Sequence, residues 1–526
     1  MNGIQNSAIT WTVTGVGCSG AQCGTITSAG LYTAPANLPD PASVTVKGSS
    51  QAASSQSGTA TITLIASNDA KLNGQYAFQF KGFDSNGVYQ AIGSFTADGD
   101  GNLKSGIEDV NNTIRPTANA PFTGTYQIGN DGRGLMSITS SLGTTSYKFS
   151  LNLLGNKGRF IEFDDSGIRG SGVIERQDPA AFTSTALAGS YAINLTGTDS
   201  RGMRIGAVGQ FFCKSGFINI GSLDVNDAGA VSPTYGPFSG NYSVQNTGRG
   251  IVTLDIPNFD GGLFKFAIYV VSSNKFFLLS LDSLNASNPV FSGPAELQTG
   301  VPFTSASFKG ASVFNLSGNN GTITQDNVGQ VLFNGISGIA VTFDENSGGT
   351  ITTNTLLTGA YDLQINGRGT LNLDNNNGSS TVWYVYGISS NRAFLLDAST
   401  SFVMDGDLEP QTASKPFVNS DIIGTYQLGS GELVSTGNPL SSGVSDFNGT
   451  SVVGTEDISQ GSSLAPNQSL LGTYNLSTTL NNGRGTLSLT SPGSSTTALW
   501  VTSASEVIGL SLDHSNRQPT ILHIEQ

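Results

Sequence analysis

Histidine is nearly absent from this 526-residue chain: His514 and His523, both near the C-terminal end, are the only two. Neither stands in a nucleophile-elbow or zinc-binding spacing, which argues against a hydrolytic triad or an imidazole-centred metal site. Charge is also scarce. Asp, Glu, Lys and Arg make up 11% of the sequence, where a soluble domain averages about 25%. What charge there is leans acidic, with 23 Lys+Arg against 37 Asp+Glu and a net of −14, so nucleic acid and anionic lipid are excluded as partners. Long apolar runs are missing: the longest, 263–271, is broken by Lys265 and falls far short of the roughly 18 residues that a membrane helix needs. The opening Met1-Asn2-Gly3-Ile4-Gln5 has neither the basic nor the apolar part of a signal peptide.

Cysteine occurs three times. Cys18 and Cys23 lie five positions apart in a glycine-rich stretch, which predicts a small disulfide loop and with it an oxidising compartment. Cys213, within Phe211-Phe212-Cys213, reads as a buried small hydrophobe. In contrast to these shortages, glycine is abundant at 68 residues, and 28 Phe and 14 Tyr give enough apolar material to fold.

The chain repeats itself. Gly-Arg-Gly occurs four times, centred on Arg133, Arg249, Arg368 and Arg484, at intervals of 116, 119 and 116 residues. A Gly-x-Tyr precedes each, at Tyr126, Tyr242, Tyr361 and Tyr474. One acid recurs 24 to 27 residues upstream of each arginine, at Asp109, Asp224, Asp344 and Asp457, and another 29 to 33 residues downstream, at Asp164, Asp282, Asp397 and Asp513. Each unit closes on a Glu/Gln pair, and Phe182, Phe303 and Phe417 mark the linkers. These landmarks divide the chain into a leader, 1–66, and four units, 72–178, 187–299, 303–412 and 420–526.

Within a unit the apolar period is two, as in Tyr147, Phe149, Leu151 and Leu153, which predicts antiparallel β-structure. The first unit reads as eight strands: 74–82, 90–97, 103–110, 121–128, 133–140, 145–154, 158–164 and 168–176. Short connections favour an up-and-down barrel, which leaves no exposed edge; Greek-key sandwiches are the alternative. Glycines inside the strands, Gly170 and Gly172 among them, are expected where the wall bends. Units three and four open irregularly, with Ser312 in the tyrosine position and an almost wholly polar stretch over 427–450, and are expected to form less perfect barrels.

In the leader, Ile9-Thr10-Trp11-Thr12-Val13, Gly30-Leu31-Tyr32-Thr33-Ala34-Pro35, Ser43-Val44-Thr45-Val46-Lys47 and Thr59-Ala60-Thr61-Ile62-Thr63-Leu64 together resemble the second half of a bacterial Ig-like domain. Two strands that such domains carry ahead of the tryptophan strand do not fit in the eight residues before Ile9, so the chain is expected to be a fragment of a longer exported protein, or Met1 a misplaced start. The resemblance implies an extracellular or cell-surface setting. The four units are similar to lipocalin-like and avidin-like barrels in length and strand count alone.

The repeated arginine and its two acids allow two readings. Either they form a ligand site at each barrel mouth, suited to a sugar hydroxyl or a carboxylate, or the arginine is a structural clasp, paired with the strand-end acid of its own unit. Asp98, Asp100 and Asn102 resemble the start of a calcium loop but lack its later ligands, which favours a hairpin turn. Glu162, Asp164 and Asp165 are the candidates for paired carboxylates, although neighbours on a strand point to opposite faces. No cofactor is implied. The expected function is that of a non-enzymatic spacer or adhesion scaffold meeting glycans, small ligands or surface proteins. A protein with a ligand in each barrel is the alternative, and a carbohydrate-active enzyme ranks third.

Overall fold

The computed structural model describes residues 8–35, 38–64, 67–232, 234–259, 262–375, 378–413, 415–515 and 517–526. The chain forms two compact units: the leader up to residue 68 together with 128–131, and the remainder. In the leader, Ser43–Ser50 is the central strand of an antiparallel sheet between Ile9–Thr14 and Ser57–Thr63. Cys18 and Cys23 form the expected disulfide. Cys23 packs with Val44 and Leu64 and accepts a 2.7 Å hydrogen bond from the Tyr32 hydroxyl. The outermost residues of the predicted leader, 1–7 and 65–66, lie outside the described residues.

The remainder consists of four antiparallel barrels, as the strand pattern predicted. Barrel 1 has strands Asn73–Asp84, Gly87–Asp98, Asn102–Asn112, Thr117–Ile128, Arg133–Ser140, Gly143–Leu151, Lys157–Glu162 and Arg169–Arg176. Consecutive strands pair, and the first also pairs with the last, which closes the wall and excludes the Greek key. Barrels 2, 3 and 4 repeat this over residues 189–297, 309–410 and 424–525, and barrel 2 carries one extra short strand, Ala230–Val231.

Aromatic side chains fill the barrels. In barrel 1, Phe78 packs against Phe95, Phe122 and Phe160. In barrel 2, the interior space lined by residues such as Leu223, Phe238 and Phe266 measures only about 10 Å³, at the lower limit of what one water needs. The in-strand glycines make room for these rings: a Cβ on Gly170 would lie 2.4 Å from the Phe80 ring, and one on Gly172 2.4 Å from that of Phe160.

The expectation of imperfect third and fourth barrels is overturned, since both close. Ser312 does the work of the missing tyrosine. Its hydroxyl donates to the Asn391 carbonyl at 3.0 Å, where Tyr76 and Tyr426 bond the corresponding turn carbonyls of Gly155 and Ala504. The polar stretch 427–450 is not a loose surface, because Gln427, Ser430, Ser442 and Ser445 are buried. Ser442 faces barrel 1, and Gln427 and Ser430 bond Glu525 and the Ser441 amide of their own barrel.

The four barrels are not strung out in a row. Barrel 1 packs on barrel 2 through Ile92 and Tyr269, barrel 2 on barrel 3 through Val208 and Tyr386, and barrel 3 on barrel 4 through Val328 and Trp500. Barrel 4 returns to barrel 1 through Leu433, Leu440 and Ile161. The result is a closed ring.

Candidate functional site

The repeated arginines and upstream acids meet at the joints of this ring. Arg249 of barrel 2 grips Asp109 of barrel 1 with two hydrogen bonds, Nε to Oδ2 at 2.8 Å and Nη2 to Oδ1 at 2.7 Å. Arg368 of barrel 3 grips Asp224 of barrel 2 at 2.7 and 2.9 Å. Arg484 of barrel 4 reaches Asp344 of barrel 3 at 2.8 Å, and Arg133 of barrel 1 reaches Asp457 of barrel 4 at 2.8 Å. The clasp therefore joins each unit to the one before it. The pairing expected with the strand-end acid of the same unit is corrected accordingly.

Each acid is fully buried and supplied with further donors. The Tyr269 hydroxyl donates to Asp109 at 2.7 Å, that of Tyr386 to Asp224 at 2.8 Å, and the Trp500 indole N–H to Asp344 at 2.8 Å. Asn119, Asn354 and Asn467 turn into the left-handed region, with φ of 57°, 53° and 56°, so that their backbone amides donate to Asp109, Asp344 and Asp457. A buried carboxylate satisfied in this way forms a charge-assisted joint with directional bonds. Its hydrogen bonds to Asp109 raise Arg249 above the usual guanidinium range. The glycine before each arginine has its own reason. Gly248 adopts φ +82°, and a Cβ there would lie 2.6 Å from the Phe182 ring, so the linker phenylalanine plugs the floor of the barrel that follows it.

The strand-end acids sit nearby but in a different role. Asp282 and Asp513 accept backbone amides from Lys265 and Thr496 of their own barrels, and Asp164 does the same for Ser146. Asp397 accepts from Ser399, and burial pushes its carboxyl up to about 7. Their backbone carbonyls hold the joints: Asn111 donates to that of Asp282 at 3.0 Å and Asn226 to that of Asp397 at 2.9 Å.

The fourth joint differs. Where the others set an aliphatic residue against a tyrosine or tryptophan, Ser442 meets Ser150, with hydroxyls 3.3 Å apart. Lys148 lies 3.8 Å from Asp457 in place of a neutral donor.

At the ring axis the scarce charges gather. Arg204 spans Asp405 and Glu432 at 2.7 and 2.8 Å, and Lys81 reaches Glu432 at 2.7 Å. Burial alone would raise Glu432, but Arg204 and Lys81 outweigh it and hold the carboxyl down to about 2. A second layer is built from the glutamates that close each unit, Glu175, Glu296, Glu409 and Glu525, and encloses a cavity of about 250 Å³ touched by all four barrels. Sequence reasoning identified these glutamates as punctuation and assigned them no role. Their partners, Lys157, Lys275 and Arg392, were missed, although each begins the seventh strand of its unit.

The remaining candidates are spread elsewhere. Asp98 accepts the backbone amides of Asp100 and Asn102 and pairs with Lys104 at 2.9 Å, which makes a hairpin turn. Among the described residues no group of three His, Cys, Asp or Glu could hold a metal. Glu162 accepts from the Asp164 amide at 2.6 Å. Cys213 is buried in barrel 2, which pushes its thiol up to about 12. No described helix is long and apolar enough to cross a membrane.

No family model matches this sequence, and no curated protein does so. Among solved structures, the chain is similar to the isotype 1 transferrin-binding protein B of serogroup B Neisseria meningitidis, at 8% identity over 70% of this chain and 83% of that one. The TM-score is 0.18, a level at which the likeness carries no argument.

Proposed function

We propose that the protein is a non-enzymatic binding platform of an exported or surface protein, in which four solid barrels are locked into a rigid ring that presents its loops to a partner. The observation that carries this reading is the repeated clasp. Four Arg–Asp joints, the last returning to the first barrel, fix the loops relative to one another and lower the ordering cost of binding. The packed aromatic interiors speak against one ligand per barrel, and ring closure speaks against a spacer. Both histidines have structural surroundings: His514 bonds the Gly349 carbonyl, and burial beside Arg159 keeps His523 neutral. The disulfide and the Ig-like pattern of the leader favour an extracellular setting.

Small-angle scattering of the four-barrel portion, residues 69–526, combined with surface labelling of intact producing cells, tests the proposal. A compact four-barrel particle with a radius of gyration of about 23 Å is expected, together with labelling from outside. A radius above about 35 Å, which a row of four barrels would give, or protection from external label would overturn it.

A further inference from the structure

The axial layer of charges follows a rule with one exception. The base that begins the seventh strand of a barrel reaches the closing glutamate of the barrel before it. Lys275 lies 2.7 Å from Glu175 and also 3.3 Å from its own Glu296. Arg392 bonds Glu296 and lies 2.8 Å from its own Glu409. Lys157 lies 2.8 Å from Glu525, across the joint where the ring closes. In barrel 4 the same position is Glu506, register partner of Glu525. The position that should carry a cation between Glu409 and Glu525 carries a third carboxylate.

We propose that the ring takes up a small organic cation, a primary ammonium, at the joint of barrels 3 and 4, in the place that Lys157, Lys275 and Arg392 fill at the other three joints. Neither the Glu506 carboxylate nor that of Asp407, which also lines the cavity, makes a side-chain hydrogen bond or an ion pair among the described residues, although Lys157 and Arg159 act on Glu506, and Arg392 and Lys275 on Asp407, from farther off. Arg392 offsets part of the charge on Glu409, and Lys157 and Arg159 are engaged by Glu525. A separate observation points to the same place. The Thr502 hydroxyl of barrel 4 lines this cavity, is 3% exposed, and has no hydrogen-bond partner among the described residues. Unsatisfied oxygens around a surplus of negative charge call for a donor-rich cation. The cavity, about 250 Å³, holds a short aliphatic amine, and Lys275, seated between two glutamates, shows that an ammonium fits this geometry. Burial, with Glu506 and Asp407 adding to it, pushes Glu409 up to about 7, and burial and Glu525 raise Glu506. The proposal does not depend on the platform reading.

The test is calorimetric titration of the full chain with putrescine in amine-free buffer, with calcium as a second probe. Saturable binding of one putrescine per chain is expected at pH 8, weaker by about tenfold at pH 6, where a carboxyl titrating near 7 is mostly protonated. Glu506→Gln should weaken binding. Glu506→Lys should abolish it and should raise the melting temperature of the free protein towards that of the putrescine-loaded wild type, because the ammonium is then supplied from within. Absence of putrescine binding at millimolar concentration and pH 8 would overturn the proposal. So would calcium binding without amine binding, or an E506K variant that still binds putrescine or melts below the wild type.

Discussion

Replacing Arg249 by alanine leaves Asp109, with no exposed surface, without its guanidinium and supported only by the Tyr269 hydroxyl and the Asn119 amide. Removing one partner of a buried pair costs about 3–5 kcal/mol, because the remaining charge stays desolvated. The size of the melting shift depends on what unfolds together. At about 2.1 cal/mol/K per residue, a ring of some 450 residues melting as one has an unfolding entropy near 0.95 kcal/mol/K, and a loss of about 4 kcal/mol lowers its midpoint by about 4 °C. A single barrel of about 110 residues melting alone would drop by about 17 °C for the same loss. Differential scanning calorimetry distinguishes these cases, and the shared clasps predict the smaller, single shift. Arg133→Ala is expected to cost only about 1–2 kcal/mol, since Lys148 stays 3.8 Å from Asp457. The double variant R249M/D109N should recover much of the loss, as replacing both members of a buried pair leaves no orphan charge. The reasoning is refuted if R249A costs no more than about 1 kcal/mol, the range of exposed pairs, or if R133A costs as much as R249A.

Stability should peak on the acid side of neutrality. Burial pushes Glu409, Glu456 and Asp397 up to about 7, so the folded state holds protons that the unfolded state releases above about pH 4, and stability falls as pH rises from there through 7. Burial also opposes ionisation of Glu296 and Glu432, but neighbouring cations outweigh it and hold them down to about 2, so their contribution is lost as pH falls from about 4.5 towards 2. Melting temperatures should therefore rise from pH 2.5 to about 4.5 and decline between 5 and 8; a flat profile over that upper range would contradict the burial argument. The fourth joint should open first: a cysteine at Ser442→Cys should react with a thiol reagent at least about tenfold faster than one at Val208→Cys, since about 1.4 kcal/mol of weaker packing gives that ratio, and equal rates would count against it. Reduction of Cys18–Cys23 should weaken the leader by about 2 kcal/mol for so short a loop and leave the barrel transition unchanged, read as two calorimetric transitions of which only one moves.

The barrels were legible because their grammar is local. The period of two, the turn glycines and the Gly-x-Tyr openings each act within a few residues, and the eight strands of barrel 1 lie where that grammar put them. The clasp was legible as residues and illegible as a pairing. Arg249 and Asp109 are 140 positions apart, Arg368 and Asp224 144, and in a repeat such an offset cannot be told from the one inside a single unit. The polar run 427–450 misled for a related reason. Ser442 stands in an almost wholly polar stretch, yet it is buried in the joint with barrel 1. Glu506 gave no local signal at all; its meaning comes only from the three bases at equivalent strand starts around the axis.

The joints between barrels are heterologous: each unit offers an acid on one side and an arginine on the other. Contacts of this kind either close on themselves or propagate without end. Because four units close, each turns the chain through a quarter circle on average, so the copy number is fixed by geometry. Loss or gain of one unit would leave Asp109-like and Arg249-like surfaces unpaired at opposite ends, ready to join another molecule head to tail. Placing all four copies in one polypeptide settles the stoichiometry in the genome. It also allows the subunits of this ring to diverge, one by one, as no homotetramer could.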